Sequence, residues 1–346
     1  MNCKIKGAYQ YRPARVAALC LAVLLAVLCL CTGCGNTTRT DPSEDGVLRV
    51  VCTTFPGWEF CRAVTGINED GTGTAGVEVH IISKQGQDLH GYEPSAADIG
   101  LIATADVFVY VGGTSDAWVE NALKAAGNQS LVTVSMMDVC PVMEEEIPEG
   151  AEDDHDDRDG DSDGDSDGDH GTEVEYDEHL WTSIRNDRLI VQAIADALVQ
   201  ADPAHEESYR ANAAAYDEQL AELDAVYTDM VAGAARHTLL IADRYPFAYL
   251  MRDLGLTCYA AFPGCSSETQ ASFATQVFLV EKVKELGLPC IFMVDNGQGS
   301  VAASVSQQTG AEVLRLWSGQ TLPEDPGMTY LDMLRENLEN LKKALG

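Results

Sequence analysis

Residues 202–232 read DPAHEESYRANAAAYDEQLAELDAVYTDMVA. Asp202 suits a helix N-cap, and Pro203 suits the first helical position, where its missing N–H costs nothing. Beyond them Tyr209, Ala213, Tyr216, Leu220, Leu223, Tyr227 and Met230 recur at steps of four and three. That is one apolar stripe along a single continuous helix. At ~1.5 Å per residue, residues 203–232 would span ~45 Å, long enough to run across two domains.

On both sides of this helix the chain alternates short β-rich runs with amphipathic stretches. Before it, LRVVCTT (48–54), VEVHIIS (77–83), VFVYVGG (107–113) and LVTVS (131–135) read as buried strands, with helical stretches near 56–66, 95–105 and 115–126 and a helix over 185–200. After Gly233, HTLLIA (237–242), TCYAA (257–261), CIFMV (290–294) and VLRLW (313–317) read as strands, with helices near 246–253, 270–286, 299–309 and 328–345. A βαβα rhythm implies a parallel sheet covered by helices. The expected fold is therefore α/β: two lobes with parallel sheets flanked by helices, joined by one long rigid helix. The expected segments are an N-terminal lobe over 47–201, the connecting helix over 202–233 and a C-terminal lobe over 234–346. Beyond this two-lobe plan no internal repeat is visible.

The 346 residues are 46% apolar, as a chain with a real core requires, and carry a formal net charge of -33. Nineteen of the acidic residues fall within 144–178 beside a single Arg, so much of the acidity is one insert, about 144–176. Such a surface repels nucleic-acid phosphates and attracts cations. At the N-terminus, basic residues without acids precede the 16-residue apolar run VAALCLAVLLAVLCLC (16–31). The run is short for a membrane span and suits a signal peptide over 1–33. Cys31-Thr32-Gly33-Cys34 resembles a bacterial lipobox, which makes Cys34 the expected lipidation site, followed by a polar tether over 34–46; an uncleaved anchor is the alternative. Either way the folded part lies outside the membrane. Six cysteines follow, and Cys52–Cys61 and Cys258–Cys265 are close enough in sequence to pair, with buried free thiols as the alternative.

In open parallel sheets, ligands bind beyond the carboxyl ends of strands. There the sequence places His90, His179, Asp243 and Asp295: two imidazoles from one lobe and carboxylates from the other, across a cleft. Imidazole with carboxylate suits zinc or a neighbouring divalent metal. Each residue also has a structural reading. Loop histidines are ordinarily surface residues, Asp295 suits a turn with Asn296-Gly297, and Asp243 has Arg244 and Arg252 for ion pairs. His80, His205 and His237 read as structural.

The stretch Asp88-Leu89-His90-Gly91-Tyr92-Glu93-Pro94-Ser95-Ala96-Ala97-Asp98 resembles the D-x-H-x-Y-E-P-x-x-x-D signature of zinc/manganese ABC-transporter solute-binding lipoproteins. Asp177-Glu178-His179-Leu180-Trp181 is similar to that family's D-P-H-x-W segment, and the 202–232 stretch to its lobe-connecting helix. The resemblance covers most of residues 47–346. It implies metal bound in the interlobe cleft, with His90 and His179 as ligands. The family's third ligand, His or Glu, falls on Arg244 when aligned without gaps. Arginine stays protonated, so a one-residue shift to Asp243 is preferred. Its fourth, an Asp after the last strand, falls on Trp317-Ser318, so Asp295 or water is the expected substitute. The implied function is a non-enzymatic receptor that captures zinc, with manganese as the alternative. It delivers the metal to a membrane permease and its cytoplasmic ATPase, as a lipid-anchored extracytoplasmic monomer.

Three other readings compete: a manganese or iron receptor, a surface adhesin with a structural metal, and a metal-dependent hydrolase. Neither HExxH nor a nucleophile elbow supports the hydrolase. The insert contains DGDSDGDSDGDH (159–170), which starts like an EF-hand loop but ends in His170 instead of Glu. With His155 and His170 it reads as an accessory collector of divalent metal, or as a solvated charge run with no role in transport.

Overall fold

The computed structural model describes residues 46–67, 76–84, 92–151, 175–266 and 270–346. The leader over 1–33, Cys34, nearly all of the tether, His90, and the part of the insert holding His155 and His170 lie outside the described residues. Four strands build the first sheet: β1 (Leu48–Cys52), β2 (Val77–Ile81), β3 (Val107–Tyr110) and β4 (Val132–Ser135). All pair in parallel, in the order β2-β1-β3-β4. The second sheet holds β5 (Thr238–Tyr245), β6 (Thr257–Pro263), β7 (Cys290–Val294) and β8 (Glu312–Leu316), parallel in the order β6-β5-β7-β8. The two halves therefore repeat one topology, a repeat that no sequence period displays. In each, the chain moves from the first strand to one side and then crosses to the other. This leaves a switch point between β1 and β3, and another between β5 and β7.

Helices α1 (Phe55–Thr65), α2 (Ala96–Thr104), α3 (Val119–Ala126), α4 (Met136–Val139) and α5 (Ile184–Ala201) belong to the first half. Helices α7 (Ala248–Leu254), α8 (Phe273–Leu286), α9 (Ser300–Thr309) and α10 (Tyr330–Leu345) belong to the second. Between them runs α6 (Glu206–Ala232), 27 residues or ~40 Å. The expected start at Pro203 is instead a 3₁₀ turn, Pro203–His205. Asp202 does not cap it: its carboxylate bonds the His205 ring (2.6 Å) and accepts from the Tyr209 hydroxyl (2.8 Å). The tighter turn carries these side chains over the carboxylate, which then serves them and not the backbone.

Tyr209, Ala213, Tyr216, Leu220 and Tyr227 of the expected stripe are buried; Leu223 and Met230 are only partly so, and Val231 is buried in addition. One continuous apolar core runs from β1 and α1 through α5 and α6 into β5, β7 and α10. Two smaller cores cover the outer faces of the sheets. The Cys258–Cys265 pairing fails. Cys258 is near the start of β6 and Cys265 just past its end, ~20 Å apart along an extended strand.

Candidate metal centre

The Asp88–Asp98 motif enters the described residues at Tyr92. The Tyr92 hydroxyl donates to Asp98 Oδ2 (2.7 Å), and that carboxylate also accepts from the Ser95 backbone N–H (2.7 Å) and hydroxyl. Ser95 and Asp98 form the capping box of α2. Burial opposes the charge on Asp98, but the bonds from Ser95 and Tyr92 hold its carboxyl below the usual range. The motif's tyrosine and last aspartate therefore fasten the segment from Tyr92 onward to the first turn of α2.

His179 is fully buried. Asp177 Oδ1 accepts from its backbone N–H (2.7 Å) and lies 3.0 Å from its Nδ1. A carboxylate there holds the proton on Nδ1, which leaves the lone pair on Nε2, as in the carboxylate–histidine–metal arrangement. Trp181 packs edge-on against the ring, with centroids 5.7 Å apart. Glu178 fixes the segment to the end of β3: its Oε1 accepts from Ser115 N (2.9 Å). That docking requires glycine at 113, because a Cβ there would collide with the Glu178 carboxylate. His179 is thus carried to the carboxyl end of β3, at the first switch point.

The second lobe meets His179 at the end of β6. A Cβ on Gly264 would lie 2.9 Å from the Tyr245 carbonyl oxygen and 3.3 Å from His179 Cε1 and Nδ1. The backbone there forms one wall of the imidazole site, and only glycine fits. Beside it, Cys265 N donates to Glu145 Oε1 across the lobes (2.9 Å). Burial raises the Glu145 carboxyl, and nearby Asp177 adds to this. Neither Gly264 nor Glu145 is recognisable in the sequence as part of this region. Both belong to it through contacts between distant segments.

Asp243 lies at the second switch point. Between Ile241 and Arg244 the β5–β6 register shifts: Ala242 and Asp243 of β5 oppose Ala261 alone. Such a bulge re-aims side chains. The buried Asp243 carboxylate accepts from Arg244 N (2.9 Å) and Val294 N (3.4 Å), and Gly297 packs so close that a Cβ there would collide with it. Burial pushes its carboxyl up, and Asp295 adds to that push. Asp295 Oδ1 accepts from Ser318 N and Oγ, both at 2.7 Å, and so ties the end of β7 to the end of β8. The Ser318 carbonyl accepts from Trp181 Nε1 (2.8 Å). The position where the resembled family keeps an aspartate is used here for a bond between lobes. Among the described residues, no three His, Cys, Asp or Glu side chains converge to metal-binding distance. His179, Asp243 and Asp295 are therefore placed at the two switch points without being assembled into one ligand set.

The chain matches the family described as "Zinc-uptake complex component A periplasmic" over residues 50–344. It is 30% identical over 335 residues to the zinc-binding lipoprotein AdcA of Streptococcus pneumoniae, covering 94% of this chain and 60% of AdcA. It is also 30% identical over 330 residues to the high-affinity zinc uptake system protein ZnuA of Bacillus subtilis, covering 94% and 97%. Against the streptococcal AdcA proteins the chain spans little more than half of their length. The fold is that of the Zn(II)-bound ZnuA-like domain of S. pneumoniae AdcA, with TM-score 0.67, 26% identity, and coverage of 87% of this chain and 99% of that one.

Proposed function

Since the chain belongs to the family of periplasmic zinc-uptake components, component A, we propose that it is the solute-binding receptor of an ATP-driven importer. It captures a divalent ion, zinc, outside the cytoplasm and hands it to a membrane permease. The observation that carries this reading is the setting of His179: a buried imidazole, oriented by Asp177 and delivered to a sheet switch point opposite a second lobe. Zinc relatives match over the same residues. His90 is the partner imidazole supplied by the motif that Tyr92 and Asp98 anchor. Asp243, re-aimed by the β5 bulge, is the second-lobe ligand, with Asp295 or water in the fourth place. The receptor does no covalent chemistry; it acts by ligand exchange. Imidazole binds metal only when neutral, so protons compete with the metal for the site. Cys34 tethers the chain to the membrane by lipid, and the receptor acts as a monomer.

The test is metal stoichiometry and competition titration on residues 35–346 and on the same protein lacking 152–171. The expected result is one tight zinc in both forms, lost on His90→Ala or His179→Ala. Metal that disappears with the insert, or a preference for manganese or calcium, overturns the assignment. A growth defect of a deletion strain that zinc alone relieves in chelated medium separates transport from adhesion.

A further inference from the structure

Cys52 is the last residue of β1, a central strand, and Cys61 lies in the second turn of α1. Only Thr53 and Thr54 separate the strand from the helix, and the Thr54 hydroxyl caps the helix by accepting from Gly57 N (3.3 Å). A turn this short sends α1 back over the end of its own strand. The two sulfurs then face each other at 3.5 Å, both fully buried. The other thiols are placed differently: Cys140 faces the Asn186 carbonyl (3.8 Å) and Cys258 the Tyr259 carbonyl (3.4 Å).

We propose that Cys52 and Cys61 are a disulfide site that locks α1 onto the end of β1. A bonded pair needs its sulfurs at about 2.0 Å, so closure asks for a small side-chain movement with no change of fold. The oxidant is an external disulfide of the glutathione or oxidoreductase class, available outside the cytoplasm, where the proposed function places the chain. One cysteine thiolate attacks R–S–S–R, forming a mixed disulfide and releasing RS⁻. The second cysteine, as thiolate, displaces the other RS⁻ and closes the Cys52–Cys61 bond. Two thiol protons are lost, one protein S–S bond forms, and R–S–S–R is reduced to two R–SH after protonation. Burial, then the neighbouring Cys61, pushes the Cys52 thiol up, and both sulfurs are fully enclosed in the finished fold, out of reach of an external disulfide. Oxidation therefore takes place on the folding chain, and the same burial afterwards shields the bond from reductants.

The bond would hold the frame of the first lobe. The Cys52 carbonyl accepts from Ile82 N (3.0 Å), at the start of the loop that leads toward His90. Asn212 of α6 bonds the Val64 carbonyl (3.0 Å), near the far end of α1. A Cys52–Cys61 bond thus joins the end of β1, the loop after β2 and the connecting helix through one covalent link.

The full chain is refolded from denaturant in a glutathione redox buffer, quenched with N-ethylmaleimide under denaturing conditions and mapped by mass spectrometry. The expected result is a linked pair of peptides carrying Cys52 and Cys61, two hydrogen masses lighter than the reduced pair. Cys61→Ser should leave Cys52 alkylated. Closing a ten-residue loop should raise Tm by about 4 °C relative to the reduced protein. The Cys52→Ala/Cys61→Ala double variant should lose that response to reductant. Alkylation of both residues after refolding, or pairing of either with a different cysteine, overturns the proposal. Zinc titration of the same samples separates the two readings. Tight zinc without the pairing overturns the disulfide alone, and the pairing without zinc overturns the receptor alone.

Discussion

At the scale of single residues, the site depends on small groups that hold larger ones. Asp177 Oδ1 meets both the backbone N–H and the Nδ1 of His179, and so orients the ring. Asp177→Ala should weaken zinc binding by about 10- to 100-fold while leaving the fold intact, measured by competition with a chelating dye. An unchanged affinity would mean that His179 is oriented by packing alone. His179 was legible in the sequence because the D-E-H-L-W segment carries its own positioning residues within a few positions. Glu145 and Gly264 were not, because neither sits in a local pattern. Asp295 reads in the sequence as a turn residue or a substitute ligand. The structure has its carboxylate accepting two bonds from Ser318.

At the scale of elements, two joints stand out. The first is the start of α10, where the buried Tyr330 hydroxyl donates to the Trp181 carbonyl and lies 3.0 Å from Asp187 Oδ2. Burial holds the Asp187 carboxyl well above its usual range, which suits a neutral acid inside the core. Tyr330→Phe strands these partners and should cost about 1–3 kcal/mol, lowering Tm by roughly 2–5 °C in calorimetry. The second joint is the end of β3, where Asp116 Oδ2 accepts from Val111 N (2.7 Å) and Gly112 N (3.1 Å). Burial pushes this carboxyl up to about 6 from an ordinary 3.8. Between those values the native state binds the extra proton, so this group's stabilisation is present below pH ~4 and is lost as pH rises through about 6. The loss is on the order of 3 kcal/mol. Asp116→Asn should flatten that part of the stability–pH curve. A variant curve parallel to that of the unaltered protein would place the titration elsewhere.

At the scale of the whole molecule, the connecting helix is also the spine of the core. Tyr209, Leu220 and Tyr227 are buried along it, and the Tyr227 hydroxyl reaches the Leu334 carbonyl of α10. An apolar core continuous through both sheets should melt as a unit. Calorimetry of the metal-free protein is expected to show one cooperative transition, with Leu220→Ala lowering it by about 3 kcal/mol without splitting it. Two separated peaks would mean that the lobes fold independently. The acidic insert is the other molecular-scale question. Its flanks are pinned at the lobe boundary, where Glu144 pairs with Tyr176, Glu145 bonds Cys265 and Lys282 lies 3.9 Å from Glu149. Deleting 152–171 should leave the cleft affinity within about twofold, because the pinned flanks remain. A loss of uptake confined to limiting zinc would then show that the insert acts as a collector.

Periodicity and motif spacing are local properties, and they suffice for what the sequence by itself determined: the βα rhythm on each side of residues 202–232, the long apolar stripe and the two histidine motifs. The tertiary structure alone decided the twice-used strand order, the bulge that re-aims Asp243, the approach of Gly264 to His179 and the meeting of Cys52 with Cys61. It also parted Cys258 from Cys265, although they are closer in sequence than Cys52 and Cys61. A strand holds its residues apart, whereas a tight strand-to-helix turn folds them back together. Distance along the chain carries no record of which of these occurs until packing has chosen the path.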